Sequence, residues 1–541
     1  MILEYDPMTP RVIDPRSTAN AKLTVAEHTD LLVVGAGPAG LAAAIAAAAH
    51  GASVVLVDEN PVPPETMGDD VPLHFGQRMG GAVRNRTAMT EAMLDGEPAL
   101  ADAMEAGVDV RLGTIVWGLY ANGPSVGWLP GKVAGLSDGK TSWMLGFKAV
   151  IVATGRRDMG LAFPGWQLPG VMGATAAERL ASRYGAIDAR RAVVLGTSAE
   201  ALLAALALRR AGVAVAAVVE QASAAIGPAV LLEELAAAGV PVLPRHVIAA
   251  AEGAADGVTG ATLVRLDGSG ARIAGSATTI ECDTIVLGVG AVPVIELLDA
   301  IGCRSVFSPA RGGHVPVTDA SQMTSLPGVY AVGDCAGVWA EKSTVRAVAE
   351  AEGRRAAAHA TQSNAAAGAS PPPEPVVDLS AYRLAWVRGA VVEAAPASGA
   401  EAHVCLCEEV TAREIMEVRP PRYLGWRQPL RNSADLSALL GNGPPNADQV
   451  KRLTRAGMGL CQGRRCREQV AALLALGAGV GLGEVPLATF RAPVRPLALG
   501  LVGSLPESPE MAEHWDVWFG IPGQVATPWE LKSGELEAGK P

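Results

Sequence analysis

The stretch LVVGAGPAG at residues 32–40 decides the fold of this chain. It follows an apolar strand and opens an alanine-rich helix, and its three glycines have the spacing of a dinucleotide-binding turn. Gly35 permits the tight turn, Gly37 lets the backbone approach a pyrophosphate, and Gly40 allows the helix to pack closely on the strand. We therefore predict a βαβ unit that binds a dinucleotide.

An acidic residue completes this first fingerprint. Asp58 lies 23 residues after Gly35, near the end of the strand VVLVDE at 54–59, where its carboxylate can accept hydrogen bonds from ribose hydroxyls. Glu59 is a rival for this role, and we include it among the cofactor-site residues. Its side chain should, however, point to the opposite side of the strand, because successive side chains of a strand alternate.

Two further turns are predicted to line the same cofactor. The strand IVATGRRD at 151–158 runs into a glycine turn that contains Thr154 and Gly155. The segment TSLPGVYAVGDCAG is a strand that leads into Gly333 and Asp334. This segment resembles the second flavin motif of two-dinucleotide flavoproteins of the glutathione-reductase type, in which the aspartate hydrogen-bonds the ribityl chain. The two motifs together favour FAD over NAD at the N-terminal site.

A second strand–glycine–helix unit begins at AVVLGTSAEA, residues 192–201. Its glycine pattern is degenerate, since it reads Gly196, Ser198 and Ala201, and a serine stands where close backbone approach normally requires glycine. A side chain there would crowd a pyrophosphate, so nucleotide binding is weakened or lost while the fold is kept. Glu220, at the end of the next strand, disfavours the 2′-phosphate of NADPH. Whether this second domain binds a nucleotide stays open on the sequence alone.

Four of the seven cysteines of the chain fall in two close pairs near the C-terminus. The strings CLC and CQGRRC supply four soft thiolates of the kind that hold a [2Fe–2S] cluster or a tetrahedral zinc ion, namely Cys405, Cys407, Cys461 and Cys466. We favour iron–sulfur because electron transfer gives a flavoprotein a use for such a cluster, whereas structural zinc does not. Cys335 has no partner at the spacing of a redox motif, so we assign it a structural role.

Length and composition bound the remaining possibilities. A chain of 541 residues, 49% hydrophobic and 18% charged, is long enough for two or three domains with large cores. A net charge of −11 and the lack of a basic block argue against nucleic acid as a partner. Glycines and a proline at motif spacing favour a strand, turn and helix over a membrane span at 31–50. The N-terminus does not read as a secretory signal, and the cysteine usage fits a reducing cytosol.

The cysteine strings also carry a resemblance to a known family. CLCEEVT at 405–411 and TRAGMGLCQGRRC at 454–466 resemble the small helical [2Fe–2S] domain related to bacterioferritin-associated ferredoxin. Over about residues 28–500 the chain is similar to the large subunits of hydrogen cyanide synthase, opine oxidases, heteromeric proline or hydroxyproline dehydrogenases, and the sarcosine oxidase alpha group.

Two departures from the family pattern concern loops. The interval between Cys407 and Cys461 holds 53 residues, and we place its surplus at 423–446. An insertion between helices need not disturb the cysteine ligands. The loop at 61–81 lacks the compact Pro-Gly-Gly-Gln turn that the family usually has, so its flavin contacts are not carried over.

The expected fold class is α/β, a two-dinucleotide-binding-domain flavoprotein of the glutathione-reductase type with a discontinuous FAD domain and a small helical [2Fe–2S] domain. The expected division is an N-terminal extension at 1–27, an FAD-binding domain at 28–158 and 281–360, a degenerate NAD-like Rossmann domain at 159–280, a linker at 361–400, a [2Fe–2S] domain at 401–485 and a C-terminal tail at 486–541.

The resemblance implies the electron-transferring subunit of a heteromeric FAD-dependent dehydrogenase or oxidase that acts on C–N bonds of an amino acid, opine or secondary amine. It further implies a smaller D-amino-acid-oxidase-like partner with its own FAD, an FMN between the subunits, and an external electron acceptor. The chain itself shows no acid–base pair, and His246 and His314 are assigned structural roles, so catalytic residues stay unassigned. Two alternatives remain: a self-contained NADH-dependent reductase, and a carrier that docks to dehydrogenases.

Overall fold

The computed structural model describes residues 23–61, 86–123, 129–362, 377–393, 402–419 and 435–503. Most of the predicted N-terminal extension, and most of the loop at 61–81, lies outside these ranges, as does the first half of the predicted surplus at 423–446.

The strands of the described chain are β1 (Glu27–Val34), β2 (Val54–Asp58), β3 (Asp109–Leu112), β4 (Ile115–Tyr120), β5 (Lys132–Ser137), β6 (Ser142–Val152), β7 (Arg156–Asp158), β8 (Val171–Gly173), β9 (Arg191–Leu195), β10 (Ala214–Glu220), β11 (Val242–Pro244), β12 (His246–Ala254), β13 (Gly257–Arg265), β14 (Thr278–Glu281), β15 (Thr284–Leu287), β16 (Ala291–Pro293), β17 (Ser305–Ser308), β18 (Gly313–Pro316), β19 (Val329–Ala331), β20 (His403–Cys405) and β21 (Val410–Thr411).

The α-helices are α1 (Pro38–Ala49), α2 (Arg86–Gly96), α3 (Ala99–Glu105), α4 (Ala174–Ser182), α5 (Ala199–Arg210), α6 (Ala229–Ala237), α7 (Glu296–Ile301), α8 (Ala340–Thr344), α9 (Arg346–Ala360), α10 (Leu379–Val387), α11 (Ala412–Met416), α12 (Leu436–Asn442), α13 (Ala447–Thr454), α14 (Arg467–Ala478) and α15 (Leu499–Gly503). Short 3₁₀ turns lie at Pro309–Arg311, Gly333–Ala336 and Leu482–Glu484, and a π-helical turn at Arg388–Val392.

The first sheet has seven strands in the order β3-β2-β1-β6-β5-β4, with β19 beside β6. β1 lies in parallel between β2 and β6, and its Val33 is opposite both Leu56 and Ile151. The central strands read as continuous apolar runs because they are buried on both faces. Helix α1 packs tightly on α9, since a Cβ on Gly353 would overlap the carbonyl oxygen of Ala39.

The second sheet has five parallel strands in the order β11-β10-β9-β15-β8. β15 pairs with β9, with Ile285 opposite Val193, so residues 284–287 belong to this second sheet. The predicted return to the FAD domain at residue 281 is therefore wrong, because the apolar run TIVL completes the second sheet before the chain crosses back. β7 and β16 form an antiparallel pair at the two crossings between the sheets.

The predicted linker at 361–400 is also wrong in part. Helix α10 and the π-helical turn after it occupy residues 379–392, and they bury Tyr382, Trp386 and Val387. Trp386 is fully buried. The composition of the whole stretch, rich in alanine, serine, glycine and proline, is typical of a linker, and it does not reveal the short apolar face of this helix.

One hydrophobic core joins the second sheet to the four-cysteine module. It runs from Val193 through Trp386 to Cys405 and Leu473. The two faces of the first sheet have separate cores. After α14 the chain returns to the first sheet, where Val494 is buried and its backbone N–H donates to the Trp117 carbonyl oxygen.

Candidate functional site

The three turns predicted to bind the first cofactor meet at one edge of the first sheet. The strands that precede them end level with one another, because Val152 of β6 is opposite Val34 of β1 and Ala331 of β19. Turns that follow parallel strands at the same end of a sheet form the crevice in which α/β proteins bind ligands.

The glycine turn between β1 and α1 fits a pyrophosphate. Gly35 has a φ of +109°, and a Cβ on it would overlap the carbonyl oxygen of Ala153. A Cβ on Gly40 would overlap the carbonyl oxygen of Gly35, so α1 approaches the turn closely. A Cβ on Gly37 would meet no atom within 4 Å. The space in front of the α1 N-terminus is therefore open to a phosphate group.

Asp58 lies beside this turn and is partly exposed. Its Oδ2 accepts a hydrogen bond from the backbone N–H of Ala36 at 2.7 Å, and its Oδ1 accepts one from that of Asn60 at 2.8 Å. Oδ1 also accepts a hydrogen bond from the Asn60 side-chain amide at 3.0 Å. The second lone pair of Oδ2 is therefore the one that can still accept from a ribose hydroxyl. Glu59 forms an ion pair with Arg495, with 2.7 Å between Oε2 and Nε, and so holds the C-terminal segment instead.

Asp334 is held by an arginine that sequence analysis missed. Arg156, next to Gly155, places its Nη1 3.1 Å from the Asp334 carboxylate. The same Nη1 lies 2.9 Å from the Ser343 hydroxyl. The neighbouring Thr154 hydroxyl donates to the carbonyl oxygen of Val294 at 2.7 Å, so it fixes the crossing of the chain rather than pointing freely into the crevice.

A buried ion pair contacts both backbone polar groups of Gly333, and the sequence analysis did not identify either of its residues as part of the site. The Lys342 ammonium lies 2.8 Å from Glu352 and donates to the Gly333 carbonyl oxygen at 3.0 Å. Glu352 accepts a hydrogen bond from the Gly333 N–H at 2.7 Å. The Lys342 ammonium also lies 3.9 Å from the centre of the Trp339 ring. Both polar groups of Gly333 are thus fixed, and with them the turn that presents Asp334.

Cys335 follows Asp334 in the same turn, and its surroundings are those of a structural cysteine. It is fully buried, and its Sγ donates to the carbonyl oxygen of Val152 at 3.0 Å. Burial raises the pKa of its thiol to about 11. A thiol with such a pKa carries little thiolate at neutral pH.

The four C-terminal cysteines come together from two loops. The Sγ atoms of Cys405 and Cys407 are 3.8 Å apart, and those of Cys407 and Cys461 are 3.7 Å apart. Cys466 is in contact with Cys405. Two thiolates on one tetrahedral metal with bonds of about 2.3 Å lie about 3.8 Å apart, so these spacings are those of metal ligands.

The contacts between the four thiols link Cys466 to Cys405, Cys405 to Cys407, and Cys407 to Cys461. Across the described ranges, no three histidine, cysteine, aspartate or glutamate side chains are arranged to hold a single metal ion. Cys405, Cys461 and Cys466 are buried, while Cys407 is partly exposed. The adjacent Cys407 thiol, and then burial, raise the pKa of the Cys461 thiol.

Two features hold the cysteine loops together. Gly459 faces the first loop so closely that a Cβ on it would lie 2.5 Å from the Sγ of Cys407. Arg455 lies between α13 and the second cysteine string, and its Nε is 2.7 Å from a carboxylate oxygen of Glu408. The backbone N–H of Gly457 points at the Sγ of Cys405 at 3.4 Å, a contact that stabilises a thiolate.

The four-cysteine module is docked on the rest of the chain by buried polar contacts. The Trp166 indole N–H donates to the carbonyl oxygen of His403 at 2.7 Å, two residues before the first cysteine. The Gln469 side chain accepts from the Ala162 N–H at 2.7 Å. Such contacts, made within a shared core, fix the module relative to the second sheet.

The histidines predicted to be structural do not form an acid–base pair with each other. His314 is mostly buried, and burial lowers its pKa. His246 is partly exposed, with its Nδ1 2.8 Å from the Pro244 carbonyl oxygen. Neither side chain lies at the crevice of the first sheet, and no catalytic residue is assigned in the described chain.

Comparison with known proteins gives matches over both parts of the molecule. Residues 29–362 match the family described as pyridine nucleotide-disulphide oxidoreductase, and residues 432–504 match the sarcosine oxidase A3 domain. An opine oxidase subunit from Agrobacterium tumefaciens (strain Ach5) is 30% identical over 503 residues, covering 90% of this chain and 93% of that protein.

Two other relatives are also named as subunits of larger enzymes. The HcnB subunit of hydrogen cyanide synthase from Pseudomonas aeruginosa is 26% identical, over 80% of this chain and 90% of that protein. The alpha subunit of sarcosine oxidase from Rhizobium meliloti (strain 1021) is 26% identical, over 87% of this chain but 42% of that protein.

The solved structure of L-proline dehydrogenase from P. horikoshii superposes with a TM-score of 0.57 at 18% identity, covering 89% of this chain and 81% of that one. The predicted two-dinucleotide-domain α/β fold is confirmed by this likeness and by the family match. None of the described helices is long and apolar enough to cross a membrane.

Proposed function

The chain belongs to the pyridine nucleotide-disulphide oxidoreductase family, and we propose that the crevice of its first sheet binds FAD. Gly37 and the α1 N-terminus would receive the pyrophosphate, and Asp58 the ribose hydroxyls. Asp334, held by Arg156, would bind the ribityl chain. Bound FAD supplies hydride acceptance and the release of single electrons.

The convergence of four cysteine sulfurs beside a flavin fold is the observation that carries the rest of the proposal. We propose that Cys405, Cys407, Cys461 and Cys466 ligate a [2Fe–2S] cluster, which exchanges one electron at a time. We prefer the cluster to one zinc ion because electron transfer gives a flavoprotein a use for a one-electron carrier, whereas structural zinc does not.

The names of the relatives indicate the kind of enzyme to which this electron-transfer unit belongs. Those from opine oxidase, sarcosine oxidase and hydrogen cyanide synthase are all named as subunits, and the predicted resemblance to this group is confirmed. The chain is thus an FAD-dependent oxidoreductase subunit of a heteromeric dehydrogenase or oxidase. We propose that the complex oxidises the C–N bond of an amino acid, opine or secondary amine.

The finer parts of this proposal concern the partner. We propose a smaller D-amino-acid-oxidase-like protein that carries its own FAD and the substrate pocket, an FMN at the interface between the two chains, and an external electron acceptor. The described part of this chain is consistent with such a division, because its two large sheets belong to the two dinucleotide folds. The three-stranded sheet β12-β13-β14 packs into the core of the second fold, and the remaining described sheets are two-stranded.

Dye-linked oxidation of an amine panel tests the proposal. The panel contains proline, sarcosine and opines, and the enzyme is either this chain alone or the complex co-purified from its host. We expect turnover by the complex and none by the chain alone. In the complex, Cys461→Ser should abolish dye reduction, whereas the matched control Cys303→Ser, outside the module and the three flavin turns, should keep it. Robust turnover by the single chain would contradict its proposed dependence on a partner.

A further inference from the structure

The second dinucleotide fold differs from the first in what occupies its crevice. Glu220 ends β10 at the place where Asp58 ends β2, but Glu220 is fully buried. Its carboxylate accepts hydrogen bonds from the Thr197 hydroxyl, from the Tyr382 hydroxyl at 2.9 Å and from the Ala222 N–H at 2.7 Å. Two of these bonds are made to the same oxygen, Oε2, and the whole carboxylate is buried, so ribose hydroxyls cannot reach Glu220 as they can reach the partly exposed Asp58.

Tyr382 reaches this carboxylate from α10, which lies outside the second fold in sequence. Its hydroxyl also accepts a hydrogen bond from the Thr197 N–H at 3.2 Å, within the glycine turn. A Cβ on Gly196 would lie 3.1 Å from the same hydroxyl oxygen. The phenol thus sits over the turn between β9 and α5 and bonds to the acidic residue as a ribose hydroxyl would. This is the crevice in which dinucleotides bind.

The groups that would meet a pyrophosphate are engaged as well. The Ser198 hydroxyl accepts from the Ala201 N–H at 3.3 Å and donates to the Gly288 carbonyl oxygen at 3.1 Å. An N–H at the start of α5 is therefore capped by the chain itself. Glu200, in the first turn of the same helix, is 7% exposed and accepts from the Ser343 hydroxyl at 2.6 Å. The same carboxylate lies 3.9 Å from Nη1 of Arg156, so its charge is paired with the arginine that holds Asp334 and does not contribute to closing the second crevice.

We propose that α10 is an internal occupant of the second dinucleotide crevice, and that Tyr382 and Ser198 together exclude nicotinamide dinucleotides from this crevice. This exclusion is independent of the identity of the amine substrate and of the partner. It sets the electron-donor specificity of the chain: the flavin at the first crevice cannot draw hydride from NADH through the second fold. The predicted alternative of a self-contained NADH-dependent reductase is thereby disfavoured.

Nucleotide titration of the FAD-loaded full chain tests this proposal. The probes are NADH, NADPH, ADP-ribose and ATP, followed by calorimetry, and NADH is also tested for anaerobic bleaching of the flavin. We expect no saturable binding up to about 1 mM, the upper end of ordinary enzyme affinities, and no bleaching. In Tyr382→Ala/Ser198→Gly, which opens both ends of the crevice, ADP-ribose should bind at least about tenfold more tightly, since Glu220 regains lone pairs for ribose.

Tyr382→Phe is the matched control. It keeps the ring in the crevice and removes only the hydroxyl, so it should remain closed if occupancy is what excludes the nucleotide. Flavin content reports folding of the first crevice, which has its own core, and a cooperative thermal melt of each variant reports that the second fold and α10 are intact. Micromolar binding of any probe to the wild-type chain would overturn the proposal. So would an FAD-loaded Tyr382→Ala/Ser198→Gly variant that binds none of them, since α10 would then not be the obstacle. Both measurements are made without amine or partner, so they are independent of the test of the proposed function.

Discussion

Substitution of Gly459 by alanine should remove the metal site through a single methyl group. A Cβ there would lie 2.5 Å from the Sγ of Cys407 and 3.0 Å from the Cγ of Glu408, whereas ordinary contacts to a Cβ begin at 3.4 Å. The sulfur would have to move by about 0.9 Å, while metal–ligand distances tolerate only about 0.2 Å. We therefore expect Gly459→Ala to lose most of its iron.

The assay for this prediction is the content of iron and acid-labile sulfide per chain, with the flavin content measured on the same sample. The flavin should be retained, because its crevice belongs to a separate core. Gly441→Ala is the matched control in the same module, since a Cβ on Gly441 in α12 would meet no atom within 4 Å. Full iron and sulfide in Gly459→Ala, with an unchanged visible spectrum, would refute the placement of Cys407 as a ligand.

Three further outcomes are expected. Cys461→Ser should lack iron yet keep FAD in metal and flavin analysis, and stoichiometric zinc without sulfide in the wild-type chain would exclude the cluster. Asp334→Ala should weaken FAD binding in equilibrium dialysis by about 10- to 100-fold, the equivalent of one charge-assisted hydrogen bond of about 1.5–3 kcal/mol, and unchanged affinity would remove this residue from the flavin site. Lys342→Met should lower the free energy of unfolding in urea by about 3–5 kcal/mol because it strands the buried Glu352 carboxylate, and Lys342→Met/Glu352→Gln should recover most of that loss.

Sequence alone predicts those parts of the site whose residues lie close together in the chain. The turn at 32–40 needs its glycines because of contacts with its own strand and helix, and the Gly-Asp turn that presents Asp334 is local in the same sense. The four cysteines are identifiable because two close pairs of thiols have the spacing of metal ligands.

What sequence alone misses depends on pairing between distant segments. The sequence of the strand at 284–287 does not indicate which sheet it joins. Its pairing with β9 in the structure is what moves the boundary between the two dinucleotide domains away from residue 281. Arg156 and Lys342 are ordinary basic residues in the sequence, and their roles come from the carboxylates that the fold brings beside them. Tyr382 lies in a stretch whose composition is typical of a linker, 162 residues from the glutamate that it contacts.

Helix α10 gives the second dinucleotide fold a structural role that does not depend on a bound nucleotide. Its Trp386 lies in the core that joins β9 to Cys405, so the second sheet supports the four-cysteine module through α10. Loss of that sheet would remove the base on which the cysteine loops are packed, whether or not its crevice ever held a ligand. Because Tyr382 and Trp386 lie four residues apart on one short helix, the contact that closes the crevice and the contact that supports the module form together.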